Sequence, residues 1–284
     1  MAGLAFVCAG PAVRAVEVTS IVLAGNFLRV GVHDSGGLID NGFHVGIDQS
    51  AGGNGSFPGY DFLKPGDPFE FYSVGYNAGS GNVAKVAGYE FESGNPFSAT
   101  TTDTSSGSTL SALTTGSFGP LSISQTLSFG INSSTITFSV TLTNTSGSAL
   151  TNVVYARGLD PDQDVYAGGS YDTTNAVVNG NLVTAFGATT GWAIGIFSNS
   201  SITHTPSVRT DWSTDPYALL NSINNGNGDN AINIAWDIGS LAAGQSITIP
   251  FEYRINAIPE PSTYAALAGA AAFALAWRRG RKLG

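Results

Sequence analysis

Between residues 121 and 255 the chain repeatedly alternates apolar and polar positions. Thr135 to Asn144 sets Ile136, Phe138, Val140 and Leu142 against Ser and Thr, and Leu121, Ile123, Leu127 and Phe129 repeat the pattern. It recurs in Trp192, Ile194 and Ile196, in Ile232, Ile234, Trp236 and Ile238, and in Ile247, Ile249, Phe251, Tyr253 and Ile255. Period two sends successive side chains to opposite faces of an extended strand, so these runs predict half-buried antiparallel strands. Asn179-Gly180, between Ala176-Val177-Val178 and Leu182-Val183, signals a type I′ hairpin, because Asn and Gly tolerate positive φ. Thr145-Ser146-Gly147-Ser148 and Ala242-Ala243-Gly244-Gln245 mark further turns. Only Pro216 to Ile223 reads as helical, and the Gly-, Ser- and Thr-rich stretches 50–60 and 98–117 read as loops. The expected fold class is all-β: one antiparallel β-sandwich or jelly-roll-like domain over 16–256.

Composition sharpens this picture. Charged residues make up only 11% of the 284, against 42% hydrophobic, so Ser, Thr, Asn and Gly must solvate much of the surface, as is common in secreted β proteins. Five of the 11 basic residues lie near the two ends (Arg14, Arg278, Arg279, Arg281, Lys282), which leaves 16–277 far more acidic than the net −9. Such a body repels phosphate backbones, and nucleic acid is not an expected partner. The single cysteine, Cys8, lies in a segment expected to be removed, so disulfides, thiol catalysis and thiolate zinc sites are excluded from the mature body.

Residues 2–10 are apolar, and Ala15 offers a small residue for cleavage, which predicts a signal peptide over 1–15. No Lys or Arg precedes the apolar stretch, so the expectation is a signal peptide truncated at its start. At the other end, Pro259-Glu260-Pro261 stands in a stalk, 257–263, where prolines keep the backbone extended. The Ala- and Leu-rich segment 264–277 follows, then a basic tail, 278–284, with Arg278, Arg279, Arg281 and Lys282. As a helix the apolar segment spans roughly 21 Å, short of a ~30 Å hydrocarbon core unless the bilayer thins. It is expected to be a short transmembrane helix, bracketed by Tyr264 and Trp277, with its basic tail in the cytoplasm and the β domain outside.

The ordered combination of Pro259-Glu260-Pro261, one apolar span and a terminal basic cluster resembles the PEP-CTERM sorting signal of Gram-negative bacteria. The resemblance covers about 26 residues, 258–283. It implies recognition by an exosortase-like processing enzyme, transient residence in the inner membrane, and delivery to the cell envelope or biofilm matrix, where exopolysaccharide is a candidate partner. A second likeness concerns fold alone: Phe138 to Tyr155 resembles strand pairs of bacterial immunoglobulin-like surface modules.

Within the body, Asp160-Pro161-Asp162-Gln163-Asp164 places three carboxylates at i, i+2 and i+4, a spacing by which calcium loops converge on one hard cation. Val165 and Tyr171 stand where an EF-hand needs Gly and Glu, so it is not one; a solvated acidic turn is the alternative. Ca2+ is the only cofactor suggested. Trp212, in the polar stretch Thr210 to Asp215, is a candidate glycan contact, whereas Trp192 and Trp236 fall on the apolar phase of strands. His33, His44 and His204 lack metal-binding spacing, and no nucleophile elbow occurs, so no catalytic residue is assigned. The expected function is a noncatalytic envelope or matrix protein. The alternatives are a carbohydrate-binding module for the producer's own exopolysaccharide and a secreted polysaccharide-active enzyme.

Overall fold

The computed structural model describes residues 21–88 and 95–255. The expected signal peptide (1–15), stalk (257–263), transmembrane helix (264–277) and basic tail (278–284) lie outside the described residues. Among those described, no helix is long and apolar enough to cross a membrane.

In chain order the strands are β1 (Ile21–Ala24), β2 (Leu28–Val32), β3 (Ile47–Gln49), β4 (Glu70–Asn77), β5 (Asn82–Gly88) and β6 (Thr100–Asp103). Then come β7 (Thr109–Phe118), β8 (Leu121–Gly130), β9 (Thr135–Asn144), β10 (Leu150–Leu159) and β11 (Thr174–Asn179). The last are β12 (Leu182–Phe186), β13 (Ala193–Phe197), β14 (Thr203–Arg209), β15 (Ala231–Leu241) and β16 (Ser246–Ile255). They form an eight-stranded sheet, order β11-β12-β13-β16-β9-β8-β7-β6, a five-stranded sheet, order β14-β15-β10-β4-β5, and a small sheet β1-β2-β3. The two larger sheets pack face to face as an antiparallel β-sandwich.

The period-two runs supply the core of the eight-stranded sheet. In β8 every apolar position is buried and every intervening Ser or Thr only partly so. Phe138 on β9 stacks on Phe251 of β16 at 4.6 Å, and Trp236 of β15, from the opposite sheet, meets Phe251 at 5.1 Å. Each such large side chain contributes about 1.5–3 kcal/mol by leaving water. The Asn179-Gly180 segment joins β11 to β12 as a hairpin, but not through the expected type I′ turn: neither residue has positive φ, and the register shifts between Val177 and Asn179.

Three further local expectations change. The stretch 98–117 is not a loop: it carries β6 and most of β7, because Thr favours extended backbone and the strands need only half-bury themselves. The stretch 216–223 forms only a 3₁₀ turn, Ala218–Leu220, since Pro216 and the Asn-rich sequence after Leu220 leave too few residues to propagate a helix. Finally, β9 and β10 do not pair: the turn between them carries the chain from one sheet to the other, so the immunoglobulin-like strand pair does not form.

An acidic cleft at the end of β10

β10 ends at Leu159, but its pairing direction continues for three residues. The Asp160 amide donates to the Phe69 carbonyl at 2.9 Å and the Asp162 amide to that of Phe62 at 2.8 Å. Pro161 holds Asp160 extended, and in extended chain residues two apart share a face. Asp160 and Asp162 therefore present their carboxylates together. Asp229 arrives from the segment before β15, which is fixed by reciprocal backbone hydrogen bonds between Thr173 and Gly228 at 3.1 and 3.0 Å. One oxygen from each of Asp160, Asp162 and Asp229 lies within 4.8 Å of the others.

Asp164 does not join them. The chain turns into a 3₁₀ turn at Val165–Ala167, and the Asp164 carboxylate accepts hydrogen bonds from the amides of Thr189 and Thr190 at 2.7 and 2.8 Å and from the Thr190 hydroxyl at 2.6 Å. It clasps the loop before β13. The i, i+2, i+4 spacing thus divides between a two-member contribution to the cluster and a loop clasp, because the alternation stops where the strand stops. The third member, Asp229, lies more than sixty residues away in an Asn- and Gly-rich segment, and period and spacing carry no signal for it.

The cluster opens into a cleft of about 450 Å³ that Asp67, Tyr171 and Trp212 also line. Trp212, the candidate glycan contact, is half-buried rather than fully displayed. Its ring tilts against Phe69 at 5.8 Å, its backbone sits at φ 45°, and its indole N–H is buried without a hydrogen-bond partner. A bulky residue at positive φ is a strained conformation. Trp192 and Trp236 pack in the core. Two residues that the sequence separates by about fifty positions, Asp162 and Trp212, thus border one cleft.

The electrostatics of the cluster are unusual within this protein. Burial, then the Asp229 charge and a hydrogen bond shared with it, push the Asp160 carboxyl up to about 8. Burial, then the charges of Asp160 and Asp229, push Asp162 up to about 9. Asp61 shows what ordinary support does. It is as deeply buried, but it accepts hydrogen bonds from the amides of Gly46, Leu63, Ile47 and Lys64 at 2.7–3.2 Å. Burial raises it only to about 6, because those amides pull back. Asp160 Oδ1 and Asp162 Oδ1 are buried and have no hydrogen-bond partner.

Comparison with known proteins adds the address. Residues 257–282 match the PEP-CTERM protein-sorting motif. The chain carries a PEP-CTERM sorting motif. The motif spans the Pro259-Glu260-Pro261 stalk, the apolar segment and the basic residues to Lys282, and it marks a protein that is exported and sorted at a membrane by exosortase-type machinery. No curated protein matches the chain. Among solved structures, a bacterial glucoamylase complexed with acarbose is similar over 87% of this chain at 12% identity and a TM-score of 0.53. This chain corresponds to only 33% of that glucoamylase, and the likeness is one of fold. A putative aldose 1-epimerase from Escherichia coli K12 (11% identity, 84% of this chain, 99% of that chain, TM-score 0.48) overlays less closely. The same holds for Slr1438 from Synechocystis sp. PCC 6803 (8% identity, 90% and 99%, TM-score 0.45).

Proposed function

We propose that this is a noncatalytic protein of the cell envelope or extracellular matrix, held briefly in the inner membrane by its tail and released or transferred by an exosortase-type enzyme. The observation that carries the reading is the PEP-CTERM motif at 257–282, joined to a β-sandwich body. Replacing Pro259, Glu260 and Pro261 together by Ala should leave the precursor unprocessed in the membrane fraction. Mass spectrometry showing the same mature carboxy terminus in the variant would overturn the proposal.

One observation favours a finer reading, recognition of the producer's own exopolysaccharide. Trp212 and Tyr171 border the same cleft as four aspartates, and aromatic faces beside hydroxyl-binding carboxylates suit a pyranose ring. In affinity electrophoresis through that polysaccharide, Trp212→Ala should remove the retardation of the full-length chain; equal mobility of the two proteins in every gel would reject it. A polysaccharide-active enzyme fits less well. Two carboxyl groups flanking a glycosidic bond stand roughly 5–10 Å apart, whereas these three converge with oxygens inside 4.8 Å, as around a single point.

A further inference from the structure

We propose that Asp160, Asp162 and Asp229 form a binding site for one hard divalent cation of the calcium class, which ties the end of β10 to the segment before β15. The proposal is independent of what the cleft recognises. Three observations combine. The first is convergence: oxygens within 4.8 Å of one another fit ligands on a shared ion at about 2.3–2.6 Å each.

The second is the pair of unpartnered oxygens. Asp160 and Asp162 line the cleft yet are only 3% and 4% exposed, and one oxygen of each is buried without a donor. Leaving a buried polar atom unsatisfied is costly; backbone amides supply both oxygens of Asp61 and of Asp164, and Asp48, which also keeps one oxygen unpartnered, has Arg29 on the other.

The third is the whereabouts of the positive charge. Six basic residues lie in 16–277, and each is engaged elsewhere. Arg29 pairs with Asp48, Arg157 with Glu70, Arg209 with Asp211 and Arg254 with Glu252. Lys64 Nζ donates to the His44 carbonyl and Lys85 Nζ to that of Pro96. Among the described residues, no side-chain cation is committed to the cluster.

The donor set selects the ion. All three ligands are carboxylate oxygens, which excludes soft-metal preference. Three clustered carboxylates on irregular backbone, with a cleft that admits waters to complete the shell, suit the larger and geometrically tolerant Ca2+. Mg2+ takes one or two carboxylates and keeps most of its water. The sorting motif places the domain outside the cytoplasm, where modules with Kd of about 10⁻⁴–10⁻³ M work as calcium sites.

The test is calorimetric and thermal titration of the full-length chain with CaCl2 after chelation. One ion should bind per chain, and calcium at about ten times Kd should raise the melting midpoint by roughly 3–6 °C. Asp229 is exposed, so Asp229→Asn should fold normally yet lose at least tenfold in affinity together with the thermal shift. Asp164→Asn should melt lower in chelator yet keep the calcium shift. No heat and no shift in the parent protein, unaltered affinity in Asp229→Asn, or a response to MgCl2 as strong as to CaCl2 would each overturn the proposal.

Discussion

Among the buried acids of this sandwich, Glu70 and the Asp160–Asp162 pair are handled in opposite ways. Between the sheets, Glu70 of β4 and Arg157 of β10 are both fully buried and form an ion pair at 2.6 Å. Glu70 also accepts the Leu38 amide at 2.7 Å and the Tyr253 hydroxyl at 3.0 Å, while Arg157 donates to Gln125 at 2.9 Å. Burial alone would favour loss of the Arg157 proton; the Glu70 charge outweighs it, and the guanidinium stays charged. At the cleft, by contrast, Asp160, Asp162 and Asp229 face one another, with two buried oxygens unmatched. The first group is complete within the chain. The second is completed by something else. Both groups are anchored on the β4–β10 region, so the difference lies in whether the chain supplies a cation, and it teaches where the protein ends and its ligand begins.

Breaking the interior pair should have the largest effect. Arg157→Met leaves the Glu70 carboxyl, already pushed up by burial, without its counter-ion between the sheets, and chemical denaturation should show a loss of about 3–5 kcal/mol, with or without calcium. Next in size is the loop clasp. Asp164→Ala strands the amides of Thr189 and Thr190 and should cost about 1–3 kcal/mol by the same measurement, leaving the response to calcium intact. The smallest change has the opposite sign. Asp162→Asn removes a carboxyl that burial and its neighbours push up to about 9, so that at pH 7 without an ion the folded chain holds a proton the unfolded chain releases; in chelator the variant should be more stable by about 1 kcal/mol, and calcium should reverse the order of the two proteins. A loss of stability on that substitution in chelator would place the cluster with the interior group and erase the contrast.

How much of this is legible in the sequence depends on how many faces a strand exposes. β8, β9 and β16 have one wet face, and their Ser and Thr alternate visibly with Ile, Leu and Phe. β4 is buried along seven of its eight residues. One side meets the main core, while Phe71 on the other joins Phe69, Leu219 and Ala235 in a second cluster, so the segment shows no period. Arg157 hides in the apolar run Val153 to Leu159, where a lone charge is itself a sign of a buried partner, although nothing nearby identifies Glu70. At the cleft, spacing finds Asp160 and Asp162 because both lie on extended chain. It includes Asp164 although the backbone has already turned, and it omits Asp229 because only the meeting of two loops brings that residue in. The sorting motif is contiguous, and every part of it reads directly from the chain.

The contrast between the two acid groups is tested most directly by anomalous diffraction from crystals of the full-length protein grown with calcium. The account predicts one peak in the cleft, at about 2.3–2.6 Å from an oxygen of each of Asp160, Asp162 and Asp229. A map in which those oxygens instead lie in hydrogen-bond contact with one another or with water, and no ion stands between them, would contradict it.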